Sequence, residues 1–217
     1  MRPSRRFDVL SAAATARLDA YRKRAVDASL VSSVGSRNDL SLVTIELLNL
    51  WANFCRSYYL SCILTPRRVR GGRVVAARFG GSTFTDAIGL AVNLHKPYVK
   101  PLVNGTFKRR DEPTWFDINV FTTSCAALGC SNLADIQAAV STGTSAFVDL
   151  PVFRNFFAHR NEDSAAKART AAASRYSIPT IRRHPADIVA ARPYGRPVPL
   201  LVDWIDDIRA TVEMLCD

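Results

Sequence analysis

The chain has 217 residues, 48% of them apolar, which is enough to fill one well-packed core and short for two. Its 29 Lys and Arg against 19 Asp and Glu leave a net charge of +10, which favours polyanionic partners. The cations are 24 Arg and five Lys, and Arg is the better bidentate phosphate ligand.

No apolar run is long enough to span a bilayer, and Asp8, Arg17 and Asp19 interrupt the stretch that a secretory signal would need. The five cysteines are odd in number and lack a C-x-x-C, so they read as reduced core residues. With three scattered histidines, neither a metal site nor another cofactor is expected. The chain reads as a soluble, cytoplasmic protein without a membrane partner.

A first helix is predicted from Leu10 to about Val31, with Leu18, Tyr21, Ala25 and Ala28 on one face and Arg17, Arg22, Lys23 and Arg24 on a solvated one. A longer second helix runs from about Asn38 to Leu64, capped by Asn38 or Asp39. Its bulky face holds Leu47, Leu48, Trp51, Phe54, Tyr58 and Cys62. Nearly opposite, Glu46, Asn49, Asn53 and Arg56 fall within roughly 80° of one another on a helical wheel. That stripe is either the solvent face or the lining of a cleft, in which Glu46 or Arg56 orients catalytic groups.

Residues 65–82 switch to Arg/Gly alternation and read as a mobile loop or small hairpin inserted between helices. Arg67, Arg68, Arg70 and Arg73 there are candidate RNA-backbone contacts. Gly71-Gly72 and Gly80-Gly81 lack P-loop spacing, which argues against nucleoside triphosphate binding. A helix follows from Thr83 or Thr85 to about Leu94, then a Pro-, Lys- and Arg-rich stretch over 95–113. A helix from Thr114 to about Leu128 carries Trp115, Phe116, Ile118 and Phe121 as core, and a short one spans Asn132–Val140.

The next helix holds the candidate chemistry. Asp149 is positioned to cap it and Pro151 suits its first turn, so Arg154, Asn155 and His159 fall near its N-terminal end, with the pattern continuing to about Arg175. On an ideal helix Arg154 and His159 lie about 140° apart, whereas Asn155 and His159 share a face. A guanidinium and an imidazole suit metal-free cleavage of RNA: the imidazole moves protons at the ribose 2′-hydroxyl and the leaving oxygen, and the guanidinium stabilises the charged phosphorane. Facing helices from two copies would bring two of each into one cleft.

Arg154-Asn155-x-x-x-His159 resembles the R-x(4–6)-H signature of the HEPN superfamily, in which the residue after the Arg is commonly polar. The match covers six residues. The resemblance implies a small helical bundle and a homodimeric, metal-independent ribonuclease with catalytic Arg154 and His159 assisted by Asn155. It also implies a toxin or anti-phage defence role, restrained by an antitoxin or regulatory protein.

Residues 176–199 contain five Pro with Arg182, Arg183, Arg192 and Arg196, and read as extended around a short helical turn near Ala186–Ala191. Arg160, Arg182 and Arg183 join the candidate RNA contacts. A last helix, from about Pro199 to Cys216, must bury Leu201, Trp204, Ile205, Ile208, Val212 and Leu215 on the bundle or on a second subunit.

The chain therefore reads as a single all-α, HEPN-like helical bundle over 1–217. It has a basic Gly/Arg-rich insertion, with the inserted region reaching at most over 65–112, and a Pro-rich segment before the last helix. Its expected function is endoribonuclease action by 2′-hydroxyl attack. The alternative is a catalytically inactive helical module that binds nucleic acid or a partner protein. A DNA-binding regulator ranks last, because no helix-turn-helix spacing is present.

Overall fold

The computed structural model describes residues 1–142, 145–179 and 183–217. Among them the chain is an all-α bundle: α1 (Phe7–Ser29), α2 (Val34–Cys62), α3 (Phe84–His95), α4 (Ile118–Leu128), α5 (Leu133–Val140), α6 (Ala146–His159), α7 (Glu162–Tyr176), α8 (Pro185–Ala190) and α9 (Leu200–Cys216), with one 3-10 turn at Arg109–Asp111. None of the described helices is long and apolar enough to cross a membrane.

Capping side chains decide several boundaries. Ser33 Oγ accepts the Ser36 N–H at 3.0 Å, so α2 begins four residues before the expected Asn38 and encloses Asn38 and Asp39. Thr83 opens α3 by a reciprocal capping box: its Oγ1 accepts the Asp86 N–H at 3.1 Å, and Asp86 Oδ2 accepts the Thr83 N–H at 2.9 Å. Asp117 Oδ1 accepts the Asn119 N–H at 2.8 Å and starts α4 at Ile118, leaving Trp115 and Phe116 in the preceding loop rather than on the helix.

The chain forms two compact units, one of residues 1–14, 51–142 and 211–217, the other of residues 15–50 and 143–210. In the first, the aromatic face of α2 is the core. Phe7 stacks on Tyr58 with ring centroids 4.4 Å apart, and Phe121 of α4 meets Tyr58 edge-on at 5.6 Å. The phenol of Tyr58 accepts from Asn132 Nδ2 at 2.7 Å, which satisfies a polar atom that burial would otherwise penalise. All five cysteines of the chain are buried free thiols.

Residues 65–82 form isolated bridges rather than a strand hairpin, and the backbone is anchored. Arg67 N–H donates to Arg5 O at 2.8 Å, Phe7 N–H to Arg67 O at 2.9 Å, and Arg78 N–H to Leu128 O at 2.9 Å, while Val74 is fully buried. The segment expected as a mobile loop or small hairpin is hydrogen-bonded to both the N-terminal segment and the end of α4.

Glu112 holds the loop between α3 and α4 in place. Its carboxylate takes Arg56 Nε at 2.6 Å, Arg56 Nη2 at 2.8 Å, Trp115 Nε1 at 2.8 Å and an ion pair from Arg109. Its backbone carbonyl accepts from Lys96 Nζ at 2.6 Å. Burial alone would push this carboxyl up, but the hydrogen bonds from Arg56 and Trp115 and the two guanidinium charges outweigh it and hold it below the usual range.

In the second unit, Trp204 of α9 is fully buried, with Phe153 of α6 edge-on at 5.3 Å and Tyr176 of α7 at 6.1 Å. The α9 stripe from Leu201 to Leu215 is buried within the chain. Arg37 grips Asp187 with two 2.8 Å hydrogen bonds and ties the start of α2 to α8.

A carboxyl held low in the fold stabilises above its unfolded pKa and loses that contribution as pH falls through the folded value. Glu112→Gln is therefore expected to cost about 2 kcal/mol at neutral pH by leaving Arg56 and Arg109 without their counterion. Urea unfolding should show the gap between variant and parent closing as pH falls below the ordinary carboxylate range.

Candidate active site

The segment predicted to carry the chemistry differs from its expected outline at both ends. Asp149 is not the cap: α6 begins at Ala146, and Asp149 sits in its first turn with no exposed surface. Pro151 lies inside the helix rather than opening it, at the cost of the bond that its missing N–H would have made. The helix does not run on to Arg175. Arg160 takes the left-handed conformation, φ 50° and ψ 37°, and donates its N–H to Phe156 O at 2.6 Å. Asn161 then caps α7, its Oδ1 accepting the Ser164 N–H at 2.8 Å. Asn155 and His159 are consequently at the C-terminal end of α6, beside a tight turn into α7, and not near a helix N-terminus.

The two helices form an antiparallel hairpin closed at its far end by a buried network. Tyr176, the last residue of α7, donates its phenol to Asp149 Oδ2 at 2.7 Å and accepts from Trp204 Nε1 at 3.0 Å. Ser145 Oγ lies 2.6 Å from the same phenol oxygen, and Arg175 ion-pairs with the other carboxylate oxygen of Asp149. Burial pushes the Asp149 carboxyl above its ordinary range, and the Tyr176 hydrogen bond and Arg175 charge offset this only in part. Along α7, Ala165, Ala168 and Ala172 are buried, and such small side chains permit close approach.

At the open end, Val152, Asn155, His159, Asn161, Asp163, Ser164 and Lys167 line a hollow of about 380 Å³. His159 and Asn155 are exposed, so the imidazole is reachable from solvent. Arg154 is half-buried and does not line this hollow. Its Nη1 lies 3.5 Å from Asn155 Oδ1, and its Nε is buried with no hydrogen-bond partner among the described residues. Arg154 thus meets Asn155, and Asn155 shares the hollow with His159, four positions on. Lys167, whose cation borders the same hollow, carried no recognisable motif in the sequence.

The polar stripe of α2 is engaged elsewhere. Glu46 accepts from Arg24 at 3.0 Å, Asn53 Oδ1 accepts from Arg109 Nη2 at 3.1 Å, Arg56 is held by Glu112, and Asn49 is exposed. The basic candidates divide. Arg68 pairs with Asp135 and Arg70 with Asp217, each at 2.8 Å, so their charge is already balanced locally. Arg67 and Arg73 are exposed, as are Arg160 and Arg183, whose carbonyl accepts from Arg169 Nε at 3.3 Å. Arg182 lies outside the described residues.

The other imidazoles have structural posts. His95 Nε2 lies 3.0 Å from Ser124 Oγ, and burial lowers its pKa. His184 caps α8, its Nδ1 accepting the Ala186 N–H at 3.1 Å. Among the described residues no group of three or more His, Cys, Asp and Glu is arranged to hold a metal ion.

Two stability measurements check the hairpin. Tyr176→Phe removes the partner of both Asp149 and the Trp204 indole and should cost about 1–3 kcal/mol. Arg160→Gly should raise stability by about 0.5–1 kcal/mol, because relief of the left-handed strain exceeds the entropy that glycine loses on folding. A loss of stability in thermal melts of Arg160→Gly would contradict this account of the turn.

No protein-family model, curated protein or solved structure matches the chain.

Proposed function

We propose that the protein is an endoribonuclease that cuts RNA by attack of the ribose 2′-hydroxyl on the adjacent phosphate. The observation that supports this reading is a solvent-reachable imidazole, His159, sharing an open hollow with Asn155 and Lys167 while Arg154 abuts the same asparagine. In this mechanism neutral His159 takes the proton from the 2′-hydroxyl. The 2′-oxygen bonds to phosphorus, the bond from phosphorus to the 5′-oxygen breaks, and that oxygen leaves protonated. The products are a 2′,3′-cyclic phosphate and a 5′-hydroxyl end. Lys167 stabilises the charge that gathers on the phosphoryl oxygens, and Arg154 joins it by swinging its guanidinium past Asn155 from outside the hollow.

A homodimer, in which a second copy contributes its own His159 and Arg154 and the acid that protonates the leaving oxygen, is the assembly that the HEPN resemblance implies. A cytoplasmic location belongs to the same reading. A toxin or phage-defence role with a restraining antitoxin or regulatory protein is the setting that the HEPN resemblance implies.

The position of Arg154 outside the hollow favours a second reading, a catalytically silent module whose exposed arginines bind nucleic acid or a partner. Cleavage of total RNA separates the two. With EDTA present, the parent should generate cyclic-phosphate ends, while His159→Ala and Arg154→Ala should each lower the rate about 100-fold or more with RNA affinity nearly kept. Undiminished cleavage by His159→Ala, or its loss on chelation, contradicts the proposal, and light scattering tests the dimer.

A further inference from the structure

The last turn of α6 borders a second hollow as well. Asn155 and His159 face the one described above. Phe156, Phe157 and Arg160 face another of about 340 Å³, completed by Val34, Arg37, Asn38 and Ser41 of α2 and by His184. This volume falls within the roughly 300–1,000 Å³ usual for small-molecule sites.

Its lining combines an apolar floor with a few directed polar groups. Phe156 and Phe157 are almost wholly buried, and His184 meets Phe156 edge-on at 5.3 Å. His184 Nδ1 is occupied as an acceptor, which leaves Nε2–H of the neutral ring as a donor. The Asn38 side chain is exposed and makes no hydrogen bond among the described residues, and an amide can read the donor and acceptor edge of a base. Arg37 is neutralised by its grip on Asp187, so Arg160 supplies the uncompensated charge at the rim.

The backbone of Arg160 singles it out. With Thr65 and Ser177 it is one of three non-glycine residues with positive φ among those described. At a helix C-terminus glycine fills this conformation without strain, and a long cation there has no carboxylate partner among the described residues to justify it. Strain retained where a cheaper residue would fit marks a side chain kept for another purpose.

We propose that this second hollow is a nucleotide subsite, holding the base of an RNA residue next to the cut phosphate against Phe156 and Phe157 while Arg160 binds that residue's phosphate. The assignment rests on the ribonuclease reading only in naming RNA as the substrate, because occupancy of the subsite requires no cleavage.

Binding is therefore measured in the His159→Ala background, by fluorescence anisotropy of labelled trinucleotides of each base, and cleavage is scored separately in the parent background. Arg160→Gly, which is expected to fold at least as well as the parent, should weaken trinucleotide binding about tenfold. It should also reduce by about one the slope of log affinity against log salt, the signature of one lost phosphate contact. Asn38→Ala should shrink the affinity differences among the four bases. Unchanged trinucleotide affinity in Arg160→Gly overturns the subsite even if the parent cuts RNA. Full loss of cleavage activity in the parent with the binding defect intact removes the nuclease reading and leaves the subsite standing. Free nucleoside monophosphates should compete only weakly; binding as tight as that of the trinucleotide would make the occupant a free nucleotide and reject the substrate subsite.

Discussion

The α6–α7 hairpin depends on one buried carboxylate. Asp149 has no exposed surface, and a charge in that position is tolerable only when its oxygens are taken up by the Tyr176 phenol and the Arg175 guanidinium. Because Tyr176 also takes the Trp204 indole N–H, a single phenol joins α6 and α7 to the most deeply buried ring of α9. Breaking this junction would leave two polar groups stranded in an apolar core. The far end of the hairpin is thereby clamped, and the position of the turn at Arg160 and Asn161 follows from it.

A clamped hairpin explains how an exposed site can be geometrically defined. His159 and Asn155 project from a helix rather than from a loop, and helix-borne groups keep their spacing better than loop-borne ones. The end of α6 faces two hollows, with Asn155 and His159 on the polar one and Phe156, Phe157 and Arg160 on the aromatic-floored one. The arrangement requires a residue in the left-handed conformation, and the chain places an arginine there.

Much of the architecture was legible because it follows from periodicity. The α9 stripe and the bulky face of α2 are buried as their spacing demands, and Thr83 announces α3 through Asp86 three residues on. The site was legible as a set of residue types and not as a place. Asp149 and Pro151 look like a helix start, and nothing local reveals that the carboxylate partners a tyrosine 27 residues later. The break after His159 lacked a glycine or proline signal, because Arg160 adopts the turn without either. Asn161 followed by Glu162 and Asp163 was the available cue, a capping side chain with acids in the first turn. Glu112 lies in a stretch whose sequence shows only Pro, Lys and Arg enrichment, since tertiary structure alone brings Arg56 to it. The same holds for Arg68 and Arg70, whose partners Asp135 and Asp217 are remote in sequence.

The buried stripe of α9 has a converse. With its apolar side chains turned inward, the helix carries Asp203, Asp206, Asp207 and Glu213 off the buried stripe, where Arg196 pairs with Asp203 and Arg22 with Asp206, while its own Arg209 pairs with Asp19. In a chain of net charge +10 these carboxylates neutralise part of the arginine excess locally. Charge is therefore spent locally along that helix, and the guanidiniums without a carboxylate beside them, such as Arg160, contribute more to the field felt at a distance.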